Sequence, residues 1–309
     1  MNIWRINLKP DMNPKYNYDD LLNYCMKNNI IGVGWKAIDI KDDDESKLWE
    51  FINNISTYSA KEKTSGFKAV NAIRKMQEGD LIWTRVGGRA SEYYLCRVDK
   101  KLWKDREMNN DLEEFDIGNF VSAKWIKVGN EDKVPGKVVN SFCVGSTVQS
   151  ICDVELISKY IWNNLTKEKS KYHKYDLNNL SKDDFWMSIG SEELECLVLL
   201  YLQTKGYYIY SSTLKRSSAQ FETVMVYKDG SHKAYPQVKR QTQLKPSDYI
   251  ENVEKGDKVF LFTTSEDYGD EIRDNAICIT KKELEKFIKN NYGLMPNNIK
   301  YWLDMIFEK

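Results

Sequence analysis

The chain has 309 residues, 41% of them hydrophobic and 30% charged, and its 46 basic and 46 acidic side chains leave no net charge. That balance excludes a protein that coats nucleic acid through overall charge, although local patches still steer partners, and the length suits about two domains of ordinary size. No stretch approaches the roughly 20 apolar residues that a membrane span needs. Met1-Asn2-Ile3-Trp4-Arg5 lacks the apolar run of a secretory signal, so a cytoplasmic protein is expected. The six cysteines are scattered without a CxxC pair, and with only His173 and His232 beside them no zinc site of ordinary spacing can be assembled. They read as buried, reduced thiols.

The first half is expected to be β-rich with short helices. Trp4 to Asn7 reads as a strand and Asp19 to Asn28 as a helix with Leu21, Leu22 and Cys25 on one side. Ile30-Ile31-Gly32-Val33-Gly34-Trp35 suits a buried strand with a close backbone approach. Leu48 to Ile55 and Gly66 to Met76 read as helices. After the turn Glu78-Gly79-Asp80, Leu81 to Val86 and Glu92 to Val98 form a hairpin around Gly87-Gly88, and Val121 to Val128 is a further strand. The polar stretch Tyr160 to Asp184 is the candidate linker.

Beyond it the pattern changes. Ser191 to Lys205 is a strong helix, with Ser191 as cap, Glu192 and Glu193 at the positive end of the dipole, and Gly206 as terminator. Strands follow at Tyr207 to Ser211, Phe221 to Tyr227, Ala234 to Lys239, Lys258 to Thr263 and Ala276 to Ile279, closed by a helix over Lys281 to Asn290. The layout is α+β or α/β.

Three features of this half converge on one chemistry. Glu195 lies inside the first helix, Glu222 near the start of the second strand, and Gln237-Val238-Lys239 on the third. Alternate side chains of a strand share a face, so Gln237 and Lys239 point one way and Val238 the other. Glu222, the Gln237 amide oxygen and the Val238 carbonyl are hard ligands suited to Mg²⁺, with Mn²⁺ as a substitute. Such a metal activates water and stabilises charge on a phosphate, and Lys239 can orient that water or neutralise the developing charge. The basic stretch around Lys215, Arg216, Lys228 and Arg240 attracts phosphates.

Glu195-Cys196-Leu197-Val198 before Gly206-Tyr207, Gln237-Val238-Lys239-Arg240, Val259 to Ser265, and Ile277 to Thr280 with Glu283-Leu284 together resemble the Mrr-like catalytic domain, a branch of the PD-(D/E)XK nucleases in which Gln replaces the second acidic ligand. The resemblance covers about 100 residues and implies a restriction-endonuclease-like α/β domain with Glu195, Glu222, Gln237 and Lys239 as its catalytic set. Two positions depart from the family pattern. Glu222 stands where Asp is usual, and Pro236 precedes Gln237 in what should be a central strand, so the strand either starts there or is bulged.

In the first half, Trp4, Gly32 to Trp35, Glu78 to Arg85, Tyr93-Tyr94, Trp125 and Val134-Pro135-Gly136 resemble a PUA-like domain of the EVE kind, a small β-barrel with flanking helices. Some members of that family hold a flipped modified base in an aromatic pocket. A flipped base needs flat apolar walls and a few polar groups. Trp35, Trp83, Tyr93 and Tyr94 can supply walls, and Arg85 or Arg89 can hold a phosphate. Trp35, Trp83, Tyr94 and Arg85 are taken as the modified-base site, although core packing is an ordinary role for any one of these aromatics.

The resulting expectation is a modification-dependent DNA restriction endonuclease directed at foreign DNA. It has a reader over residues 1–160, a linker over 161–189 and a nuclease over 190–309. Its partner is double-stranded DNA, and by analogy with nucleases that pair two catalytic sites it is a homodimer. A non-cleaving binding module with a degenerate site and an RNA-directed nuclease are the competing readings.

Overall fold

The computed structural model describes residues 1–8, 17–35, 44–85, 92–100, 114–143, 145–166, 174–180, 183–214, 221–251, 253–269 and 274–308. The protein is mixed α and β and divides into two compact units, Met1–His173 and Lys174–Lys309. The expected glycine tip Gly87-Gly88 with Arg89, as well as Lys215 and Arg216, lies outside the described residues.

Unit 1 is built on a curled six-stranded sheet. Its strands are β1 (Ile3–Ile6), β2 (Ile30–Val33), β3 (Leu81–Arg85), β4 (Tyr93–Lys100), β5 (Asn119–Gly129) and β6 (Val148–Ser150), and they lie in the order β2-β5-β4-β3-β1-β6. β1 runs parallel to β3, with Arg5 opposite Trp83, and the other pairs are antiparallel. Asp80 fixes the start of this pairing. Its buried carboxylate accepts from Asn2 N at 2.8 Å, Trp4 Nε1 at 2.8 Å and Gln77 N at 3.1 Å, so desolvation is offset by three donors.

Helices α1 (Tyr18–Lys27), α2 (Glu45–Asn53) and α3 (Ala60–Lys75) begin at side-chain caps, Asn17, Asp44 and Ser59. They bury Leu21, Leu22, Leu48, Ile52, Val70 and Ile73 in one core with Trp4, Ile82, Tyr94 and Cys96 of the sheet. Each such side chain contributes roughly 1.5–3 kcal/mol on full burial. The alternate residues of the sheet, Arg5, Trp83, Tyr93 and Leu95, occupy its other face and are also buried. Trp83 Nε1 there donates to Ser158 of α5 (Glu155–Thr166), which follows the short α4 (Gly136–Ser141). α5 runs into the segment expected as linker, because Ile157, Tyr160, Ile161 and Trp162 give it a buried stripe.

Unit 2 begins with β7 (Tyr175–Asp176) and α6 (Asp183–Ser188), whose Phe185 and Trp186 are buried, so this end of the expected linker also belongs to a fold. α7 (Ser191–Thr204) buries Leu194, Leu197, Val198 and Leu202. Its N-cap is Gly190 rather than Ser191, with no side-chain bond closing it. At its other end Gly206 takes a φ of 93°, a conformation glycine adopts at little cost.

Five strands follow: β8 (Tyr207–Ile209), β9 (Met225–Tyr227), β10 (Lys233–Lys239), β11 (Lys258–Thr263) and β12 (Ala276–Cys278). They form a sheet in the order β12-β11-β10-β9-β8, with β10, β11 and β12 mutually parallel. The short α8 (Ser247–Ile250), then α9 (Lys281–Asn290), α10 (Asn297–Ile306) and β13 (Phe307–Glu308), which pairs with β7, complete the unit.

β10 runs unbroken through Pro236, so neither a later start nor a bulge accommodates the proline. β9 pairs only with Lys233 and Ala234. Past that point no strand among the described residues pairs with this side of β10, which is thus an open side among them, and Pro236 turns its backbone to it, as its carbonyl accepts from Glu222 N at 3.0 Å. The missing N–H therefore falls where no strand among the described residues requires it.

Candidate functional site

In unit 2 the open side of β10 is where the expected nuclease residues meet. Glu222 lies on a bend before β9 rather than in a strand, because β9 is shorter than expected. Its backbone hangs on Pro236, and its Oε1 accepts from Val238 N at 3.4 Å and lies 3.7 Å from Lys239 Nζ. N–H and C=O of one strand residue face the same side, so the Val238 carbonyl also faces this open edge.

Glu195 approaches from α7, which packs on β10. Partial burial and the nearby charge of Glu222 push its carboxyl up to about 7, while Lys239 acts the other way. Gln237 shares its strand face with Lys239, stands opposite Leu261 in the parallel register and is 4% exposed. The structure thus brings Glu195, Glu222 and Lys239 together, with Gln237 and the Val238 carbonyl on the same strand end.

Among the described residues no group of three or more His, Cys, Asp or Glu side chains is placed to hold a metal. The donor set is two carboxylates supplemented by neutral oxygens. Two carboxylates close enough for one to hold back ionisation of the other suit a divalent cation with hard oxygen ligands, so the residues fit Mg²⁺.

In unit 1 the expected base-binding residues do not form one wall. Trp83 and Arg85 point to one face of the sheet, whereas Tyr94, opposite Thr84, points to the other. Trp83 is fully buried against α5. Tyr94 sits in the main core edge-on to Trp125, with its hydroxyl bonded to Glu92. Both side chains are buried.

Trp35 lines a cavity of about 330 Å³, together with Tyr18, Tyr58, Phe115, Asp116 and Asn7. Its φ of 56° is rare for a bulky side chain. The indole packs so closely on α3 that a Cβ on Gly66 would meet Trp35 Nε1 at 2.6 Å. Asn119 Nδ2 donates to the carbonyls of Gly34, at 2.7 Å, and Trp35, pinning this turn. The cavity aromatics come from separate segments, and the only local signal for them is the paired glycines before Trp35.

Compared with family models, with curated proteins and with solved structures, the chain finds no match. Among the described residues no helix is long and apolar enough to cross a membrane.

Proposed function

We propose that this protein is a metal-dependent endonuclease acting on modified foreign DNA, with unit 2 cutting and unit 1 reading. One observation carries the proposal: Glu195, Glu222 and Lys239, from three separate segments, converge on the open edge of β10. Glu222, Gln237 and the Val238 carbonyl would hold Mg²⁺, which when bound supplies an activated water and charge stabilisation at the phosphate. Glu195 shares the carboxylate cluster and can exchange a proton near neutrality. Lys239, 45% exposed at the side chain, is placed to meet an incoming phosphate oxygen.

For the reader, the order and spacing of the EVE-like segments support a base-binding role, and the Trp35 cavity has the size of a small-ligand pocket. Its aromatic walls suit a base removed from the stack.

The test is cleavage, with Mg²⁺, of supercoiled plasmids carrying unmodified, methylated, hydroxymethylated or glucosylated cytosine. Nicking of one modified plasmid above the others is expected. No nicking of any plasmid with either Mg²⁺ or Mn²⁺ would leave unit 2 as a non-cleaving module.

A further inference from the structure

Arg240 is the first residue beyond β10, and Glu195 is the fifth of α7, so the candidate cutting site depends on how the end of one element is held against the start of the other. Burial of Leu194, Leu197 and Val198 sets the depth of α7 on the sheet. It adds no hydrogen bond to the first turn, whose N-cap, Gly190, has no side chain to offer one.

Arg240 ties this turn down from the strand side. Its Nη2 donates to the carbonyl of Met187 in the last turn of α6, three residues before Gly190. Carbonyls of a last helical turn lack a partner within their helix, and a basic side chain can supply one. The charge of Glu193, in the first turn of α7, reaches the same guanidinium. The Glu193 side chain folds back over Gly190, where an added Cβ would collide with its Oε2. Gln241 repeats the hold. Its Nε2 donates to Met187 Sδ at 3.0 Å, and its N donates to Thr264 Oγ1 at 3.0 Å. With a φ of 54°, Gln241 also turns the chain off the line of β10. The α6–α7 junction that receives these bonds is buried at Met187, Ser188 and Ile189.

We infer that Arg240 is a positioning residue for the candidate cutting site, holding the start of α7 on the end of β10 so that Glu195 faces Lys239. This rests on the reading of unit 2 as a nuclease. Arg240 lies one residue past Lys239 and meets the charge of Glu193 two residues before Glu195, so one side chain joins the segments that carry both groups. Its planar fork can meet a carbonyl and a carboxylate together, whereas an ammonium is a single point charge. Misplacing a reacting group by about 1 Å costs on the order of 100-fold in rate.

The experiment uses the full chain with Arg240→Met, Arg240→Lys and Glu193→Gln. Cleavage of supercoiled plasmid with Mg²⁺ is followed for kcat and KM, unfolding is followed in urea, and amide exchange is read over residues 194–198, where the hydrogen-bonded amides of α7 begin. In Arg240→Met, kcat should fall on the order of 100-fold with KM little changed, and exchange over residues 194–198 should quicken. Arg240→Lys should lie between Arg240→Met and the wild type. Glu193→Gln should lower kcat several-fold at an unmoved urea midpoint and should add little in the Arg240→Met background, since both changes act through one contact.

Wild-type kcat in both Arg240→Lys and Glu193→Gln would overturn the assignment, and these two variants decide it alone if Arg240→Met does not fold. Should the wild type cut no plasmid, the reading of unit 2 falls, while the exchange arm still decides the tie: quicker exchange over residues 194–198 in Arg240→Lys upholds it, and exchange equal to the wild type removes it.

Discussion

Glu222 Oε1 sits 3.7 Å from Lys239 Nζ on the stretch of β10 whose β9 side is paired with no strand among the described residues. With the lysine side chain 45% and the glutamate side chain 20% exposed, the pair contributes about 0.2–1 kcal/mol to stability. Its placement matters more for chemistry than for folding. Lys239→Ala is therefore expected to abolish Mg²⁺-dependent cleavage while the urea midpoint moves little and duplex binding persists. Wild-type cutting rates in this variant would remove Lys239 from the mechanism.

The Glu195 carboxyl gives a pH signature. Its value in the fold, about 7, lies above that of an unfolded chain, so the folded state binds the proton more tightly. The stability linked to this group is full below about pH 4.3 and is lost as pH rises through about 7. Glu195→Gln, which cannot ionise, should melt progressively higher than the wild type as pH rises from 5 to 8.5 in the absence of divalent metal. A difference in melting temperature that stays flat across that range would show that Glu222 and burial do not act on Glu195 as described.

Trp83 and Trp35 should respond in opposite ways to truncation. Trp83 is fully buried and bonded to Ser158, so Trp83→Ala should cost about 3–5 kcal/mol in denaturant unfolding. Trp35 lines a cavity, and Trp35→Ala should weaken binding of the preferred modified duplex by about 1–3 kcal/mol with less effect on unmodified DNA. A uniform loss on both duplexes would point to a backbone groove in place of a base pocket.

Much of this architecture can be read locally. Lys258–Thr263 and Lys281–Asn290 fall within the bounds that alternation and helical spacing give. The start of α3 was also legible, since Ser59 and Glu62 form a reciprocal capping box, yet apolar spacing alone puts the helix start at Gly66. α10 carries Ile299, Trp302, Leu303 and Ile306 at helical spacing, a stripe that reading the chain only as far as Asn290 passes over. At the candidate nuclease site, strand alternation places Gln237 and Lys239 on one face. It does not reveal that β9 stops opposite Ala234, and that decides both where Pro236 is tolerated and where Glu222 docks. The cavity was less legible still. Tyr18, Tyr58 and Phe115 become neighbours of Trp35 only through the curl of the sheet and the packing of its helices.

The boundary between the units makes a final prediction. The composition break places the end of the reader near residue 160, but unit 1 extends to His173 and includes all of α5. A chain cut after Tyr160 divides this 12-residue helix at its midpoint and removes the buried Ile161 and Trp162. Loss of a buried tryptophan alone costs about 3–5 kcal/mol, a large fraction of the stability of a small domain. Residues 1–173 should therefore unfold cooperatively and bind duplex DNA without cutting it. Residues 1–160 should unfold at a markedly lower urea midpoint, with Trp83 fluorescence shifted to the red as its α5 cover is weakened. Equal midpoints for the two fragments would show that α5 contributes nothing to unit 1. A folded 1–173 that binds neither modified nor unmodified duplex would end its assignment as the reader.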